Sequence, residues 1–154
     1  MKISRRTAAR YGAIQALHQL DLRGENIKIL MHEFEEHFLN TKPEDGEDTD
    51  LRHADRALFE TLVEGVAGEI EDLKGLVEPH LVAPWTFDRM DPNLRWILLL
   101  ATYELLRMQE LHSSIIINEY INATKAFASP KEAPFVNNVL DKILKILRPV
   151  VGEQ

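Results

Sequence analysis

Apolar residues return every three or four positions along most of this 154-residue chain, and nowhere do they alternate with polar ones over the length of a strand. Such a pattern puts one apolar stripe on each helix and leaves helix-on-helix packing as the only way to bury it. The longest series, Leu58, Leu62, Val66, Ile70, Leu73, Val77 and Leu81, predicts helix over about 54–81. Gly65, Gly68 and Gly75 interrupt it, each costing about 1 kcal/mol against Ala unless a neighbour packs closely there. The other helices are bounded by local chemistry. Ser4 can cap a first helix that Gly24 ends. A second, about 26–39, lines up Ile27, Leu30, Phe34 and Phe38. Residues 40–50 form an acidic loop, the segment expected to be most mobile. After a connector at 84–90, Asp91 and Pro92 open a helix that buries Leu94, Ile97, Leu98, Ala101, Leu105 and Met108. Ser113 or Ser114 caps the next, about 115–128. A last helix from Glu132 or Ala133 buries Val136, Val139, Leu140, Ile143 and Leu147 and stops before Pro149. The expected fold is all-α, with six or seven helices and no sheet.

Several chemistries are excluded by what such a chain would need. There is no cysteine, hence no disulfide framework and no thiolate metal site. No glycine-rich phosphate loop, H-E-x-x-H or G-x-S-x-G occurs, and the six histidines have no recognised zinc spacing. No catalytic residue, metal or cofactor is therefore expected, and the chain does not read as an enzyme. The longest apolar run, Trp96 to Ala101, is far short of the ~20 residues of a membrane span. No apolar segment follows the basic N-terminus as in a signal peptide. The expectation is a soluble, cytoplasmic protein with no membrane partner.

Charge is distributed unevenly. The chain carries −7 in total, yet residues 1–23 hold Lys2, Arg5, Arg6, Arg10 and Arg23 against Asp21 alone, a local +4 on a body of −11. Charge alone does not choose between a solvated helix start and a polyanion contact. Arg6 and Arg10 lie one turn apart, so they share a helix face, which continues into Ala13 and Leu17. The first turns should therefore project while later turns bury. Arginines there could grip phosphates and stack on bases. Tyr11, Gln15 and His18 form an adjacent face that either covers a helix pair or offers a stacking platform. Phe135 falls at the margin of the last helix's apolar stripe, as core or as a half-exposed stacker.

These segments, taken in order, resemble the NusB family of transcription antitermination factors. The resemblance runs from Arg6 to about Arg148. It is carried by Arg5-Arg6-Thr7-Ala8-Ala9-Arg10, by residues 13–21 (AIQALHQLD), by 62–66 (LVEGV), by 98–105 (LLLATYEL), by Ile117-Asn118-Glu119 and, most strongly, by 135–143 (FVNNVLDKI). It implies two packed three-helix subdomains, about 1–81 and 82–150, within one NusB-like domain. It also implies an RNA-binding adaptor that acts with the small-subunit ribosomal protein serving as NusE. The pair would hold single-stranded boxA-type RNA, notably leader RNA of ribosomal RNA operons, within the antitermination complex of RNA polymerase. Lys2, Arg5, Arg6, Arg10, His18 and Phe135 become the RNA contacts. Tyr103 and Glu104 become the candidate contacts to the protein partner.

The chain departs from the family's pattern in four places. Thr7 and Ala8 interrupt a longer arginine run, His18 replaces a frequent Tyr, Asn138 stands where Gly is usual, and 129–132 lacks an acidic pair. Two alternatives keep the fold. One is a protein-interaction module, with a homodimer through the basic helix as its form. The other is an RNA-substrate-binding domain related to those of RNA cytosine methyltransferases, with no downstream catalytic domain in these residues.

Overall fold

The computed structural model describes residues 3–24, 26–36 and 54–150. Among them are seven α-helices and no strand. The chain divides into two compact units, Met1–Gly68 and Glu69–Gln154.

The first unit is built on α1 (Arg5–Arg23), against which α2 (Ile27–Phe34) and α3 (Arg56–Gly68) pack. The Ser4 Oγ accepts from the Thr7 N–H at 3.0 Å to start α1, and Gly24, at φ 63°, ends it with its N–H on the Leu20 carbonyl. An L side chain resists that left-handed conformation, which is why glycine marks the end. α1 is more central than a one-stripe helix: no residue from Thr7 to Leu20 is exposed. Small residues make this possible. A Cβ on Gly12 would already touch the Phe59 ring at 3.4 Å, and Phe59 in turn stacks on Phe34 with ring centroids 5.5 Å apart. Leu30, Met31 and Phe34 complete the α2 contribution to this core. The expected extension of α2 toward 39, the place of Phe38 in its stripe and the acidic loop 40–50 lie outside the described residues.

The single helix expected over 54–81 is instead two. Glu69 leaves helical geometry (φ −129°, ψ 24°) directly after Gly68, a residue poorly suited to a helix interior, and α4 (Ile70–Val77) begins anew. The two units divide at this break, whereas the resemblance implies a junction near 81. Of the described α-helices, three belong to the first unit and four to the second. A Cβ on Gly68 or Gly75 would meet nothing within 4 Å, so close helix approach does not offset the cost of these two glycines.

In the second unit α5 (Pro92–Arg107) packs against α4, α6 (Ser113–Phe127) and α7 (Ala133–Leu147). Its residues 94 and 96–105 are all buried, which is why it carries apolar side chains all round. The Asp91 carboxylate caps it through the Asn93 N–H at 2.7 Å, with Pro92 in the first turn as expected. The cap of α6 is His112 rather than a serine. Its Nδ1 accepts from the Ser114 N–H at 3.1 Å, so Ser113 and Ser114 lie inside the helix.

Candidate nucleic-acid interface

Two groups of candidate residues lie on different units, and each is described by itself. On the first unit, Arg5 and Arg6 occupy the opening turn of α1 and are exposed. Their backbone is held firmly. Ser4 caps it from below, and the Arg5 carbonyl accepts from the Asp55 N–H at 2.9 Å; Asp55 also caps α3 through the Leu58 N–H at 3.0 Å. No acidic residue stands in that turn. Two guanidinium groups thus sit at the positive end of the helix macrodipole, a position at which anions are favoured.

Arg10 is placed differently from the expectation. It is only 3% exposed. One turn past Arg6 the helix has already entered the core, with Ala8, Ala9 and Ala13 fully buried, so the shared face passes from solvent to interior between the two arginines. Arg10 therefore does not present itself to a phosphate in this structure. His18 is half-buried, and its Nδ1 is a buried nitrogen without a hydrogen-bond partner among the described residues. An orphaned polar atom of this kind costs about 1–3 kcal/mol. Lys2 lies outside the described residues.

On the second unit Phe135 is half-buried at the start of α7 and is neither pure core nor a free-standing stacker. Its ring stacks on Trp85, with centroids 4.4 Å apart and planes inclined by 22°. Trp85 belongs to the connector between α4 and α5. Sequence reasoning passed it over because one tryptophan in a non-periodic segment gives no pattern to read. The two rings line a recess of about 250 Å³ with His80, Val82, Asn138 and Lys142. A larger open groove of about 820 Å³ runs between α6 and α7. It brings together Ile117, Asn118, Lys125, Pro134 and Asn137, of which Ile117, Asn118 and Asn137 belong to segments that carry the resemblance.

The candidate contacts to a protein partner are interior. Glu104 is completely buried and accepts a hydrogen bond from the equally buried Tyr120 hydroxyl, so it cannot touch a partner. Its position follows from the burial of α5 on all sides. Tyr103 is 9% exposed, and burial together with the nearby Glu69 carboxylate pushes its phenol above the usual range. Arg107 holds Glu69 through Nε at 3.2 Å and through a second, shorter bond from its terminal nitrogen. Arg148 was also missed. It donates to the carbonyls of Leu105 at 3.0 Å, Met108 at 2.9 Å, Leu111 at 2.6 Å and, more weakly, Glu104 at 3.4 Å. These carbonyls belong to the last turn of α5 and the turn that follows it, where a cation is well placed. Among the described residues no group of three or more His, Asp or Glu could hold a metal, and no helix is long and apolar enough to cross a membrane.

Comparison with known proteins adds three findings. The family model described as the NusB family matches residues 7–145. Curated relatives include the transcription antitermination protein NusB of Sinorhizobium medicae, 39% identical over 153 residues and spanning 99% of this chain and 92% of that protein. Its counterpart in Novosphingobium aromaticivorans is 35% identical over 143 residues, spanning 93% and 95%. Among solved structures, a chain in a crystal structure of the antitermination factors NusB and NusE in complex with double-stranded RNA superposes with a TM-score of 0.73. It shares 28% identity, with 91% of this chain and 96% of that one covered.

Proposed function

This chain belongs to the NusB family, and from that footing we propose that it is a non-enzymatic RNA-binding adaptor in transcription antitermination. The observation that carries the RNA-binding part is the cationic opening turn of α1. Arg5 and Arg6 are exposed there on a backbone fixed by Ser4 and Asp55, so the side chains reach outward without melting the helix start. The preferred ligand is boxA-type single-stranded RNA, including leader RNA of ribosomal RNA operons. The protein partner is the small-subunit ribosomal protein that acts as NusE, and the pair works within the antitermination complex of RNA polymerase in the cytoplasm. The family relation supports these assignments; a relative's complex with NusE and RNA gives the ligand classes.

On this reading Arg5, Arg6 and Lys2 neutralise phosphates, His18 supplies a polar contact and Phe135 a stacking surface. Arg10 holds α1 in place from inside. Tyr103 and Glu104 keep α5 rigid, and the partner is proposed from the family alone.

The test is a fluorescence-anisotropy titration with boxA-type RNA and a scrambled control, each with and without the ribosomal protein. The expected result is preference for boxA-type RNA that sharpens when the ribosomal protein is present. Equal, weak binding to both RNAs under both conditions overturns the proposal.

A further inference from the structure

Around the Trp85–Phe135 pair the structure has more chemistry than a lone stacking ring requires. The pair is already assembled, with ring centroids 4.4 Å apart and Phe135 beside the buried α7 residues Val136 and Val139. The recess beside it, about 250 Å³, is smaller than the ~300–1,000 Å³ clefts that hold drug-sized ligands. One ring-sized group suits it. Two polar side chains stand at its rim, Asn138 and Lys142, one helical turn apart on α7 and therefore on one face. Both are exposed, and neither has a hydrogen-bond or ion-pair partner among the described residues. Lys145, by contrast, is paired with Asp141 at 3.2 Å. An apolar peptide side chain would use the rings and Val82 but leave the amide and the ammonium idle. A nucleotide uses all three. Its base covers the aromatic wall, its edge offers donors and acceptors to an amide, and its phosphate suits an ammonium.

We infer that this recess is a single-base subsite of the bound RNA, in which one nucleobase lies against the Trp85–Phe135 pair, Asn138 reads its edge and Lys142 holds its phosphate. The assignment rests on the RNA-binding reading above and deepens it by naming Trp85 and Asn138 as the residues that make one position of the strand count. His80, half-buried on the recess wall, bounds the subsite on the side of the α4–α5 connector.

The experiment is an abasic scan. A boxA-type oligonucleotide is made with one base removed at each position in turn, and affinities are measured by anisotropy for the full chain and for Trp85→Leu, Asn138→Ala and Lys142→Ala. In the wild-type chain, loss of one particular base is expected to weaken binding about tenfold. Trp85→Leu abolishes that penalty and leaves the penalties at other positions. Asn138→Ala, on an exposed helix face where folding is not at risk, shrinks the same penalty and no other. Lys142→Ala weakens binding evenly across the scan and lowers its salt dependence. A wild-type chain that binds the RNA but whose scan is unchanged by both Trp85→Leu and Asn138→Ala overturns the subsite alone. A wild-type chain that binds no boxA-type RNA overturns the RNA-binding reading together with it. If Trp85→Leu fails to fold, the Asn138→Ala scan decides.

Discussion

Arg6 and Arg10 look equivalent in the sequence and should behave as opposites in solution. Arg6 is exposed in the first turn of α1, whereas Arg10 is 3% exposed one turn further in. A cation that neutralises one phosphate of a single strand contributes about 0.7 to the slope of log affinity against log salt. Arg6→Ala should therefore flatten that slope by about 0.7, which between 50 and 200 mM salt amounts to roughly a 2.5-fold smaller loss of affinity. Its stability should stay within about 0.5 kcal/mol of wild type, because the side chain is at the surface and its charge opposes the helix macrodipole. Arg5→Ala combined with Arg6→Ala should flatten the slope by up to about 1.4. Arg10→Ala should do the reverse: an unchanged slope, and a stability loss above about 1 kcal/mol from emptying a buried site. The assays are anisotropy at four salt concentrations and urea denaturation of the same samples. An Arg10→Ala protein with native stability and a slope lowered by 0.7 would refute the reasoning. So would an Arg6→Ala protein with the wild-type slope.

Three further outcomes are expected. Arg148→Ala should cost about 2–4 kcal/mol in urea denaturation, less than four separate charged hydrogen bonds would suggest. The Glu104, Leu105 and Met108 carbonyls also accept from the Met108 N–H, the Gln109 side chain and the Leu111 N–H. Arg148→Lys, which cannot fan out to several carbonyls, should recover only part of the loss, and a change below about 1 kcal/mol in the alanine variant would show that water replaces the guanidinium freely. Tyr120→Phe leaves the buried Glu104 carboxylate without its hydroxyl donor and should cost about 1–3 kcal/mol, whereas a neutral result would mean the pair contributes little to the unit's stability. Glu35 has its carboxyl raised above the ordinary 4.5 by burial first and by Glu60 second, against the pull of Arg56 at 3.7 Å. The folded state thus holds this proton more tightly than the unfolded chain, so its contribution is favourable below the ordinary value and is lost as pH rises through the raised one. Glu35→Gln should flatten the fall in stability just above pH 4.5 without lowering stability at pH 7; an unaltered pH profile would count against it.

How much of this was legible in the sequence depended on whether a residue's role was local. Helix ends are local. The Ser4, Asp91 and Gly24 signals each act within a few residues, and the structure places α1 and α5 where they predict. The misplaced cap at α6 is a local error of the same kind. His112 can accept through Nδ1 as a serine accepts through its hydroxyl, but it lies outside the residue types whose preference makes a cap readable. The break at Glu69 was signalled by Gly68, though three glycines in one apolar series gave no means of choosing where the helix would stop.

The roles that could not be read are those set by the depth of a helix in its unit. Periodicity shows which face of a helix is apolar, and for α1 and α5 that question hardly arises, because both are covered almost all round. Small residues are what let α1 sink, and an alanine or glycine gives no apolar signal of comparable strength. The same cause moved two site assignments: Arg10 passed from surface to interior, and Glu104 became the buried acceptor of Tyr120. It also gave Arg148, to which the sequence assigned no role, the carbonyls at the end of a different helix. Polar residues on such helices are therefore better understood as the hydrogen-bonding that burial demands than as an exposed binding face. That requirement also makes the exposed exceptions informative. Asn138 and Lys142 lie on α7, only one face of which is buried, and they carry polar groups with no partner among the described residues beside an aromatic recess. No internal demand accounts for them, and so on this unit a ligand's chemistry is sought there rather than among the charges of α5.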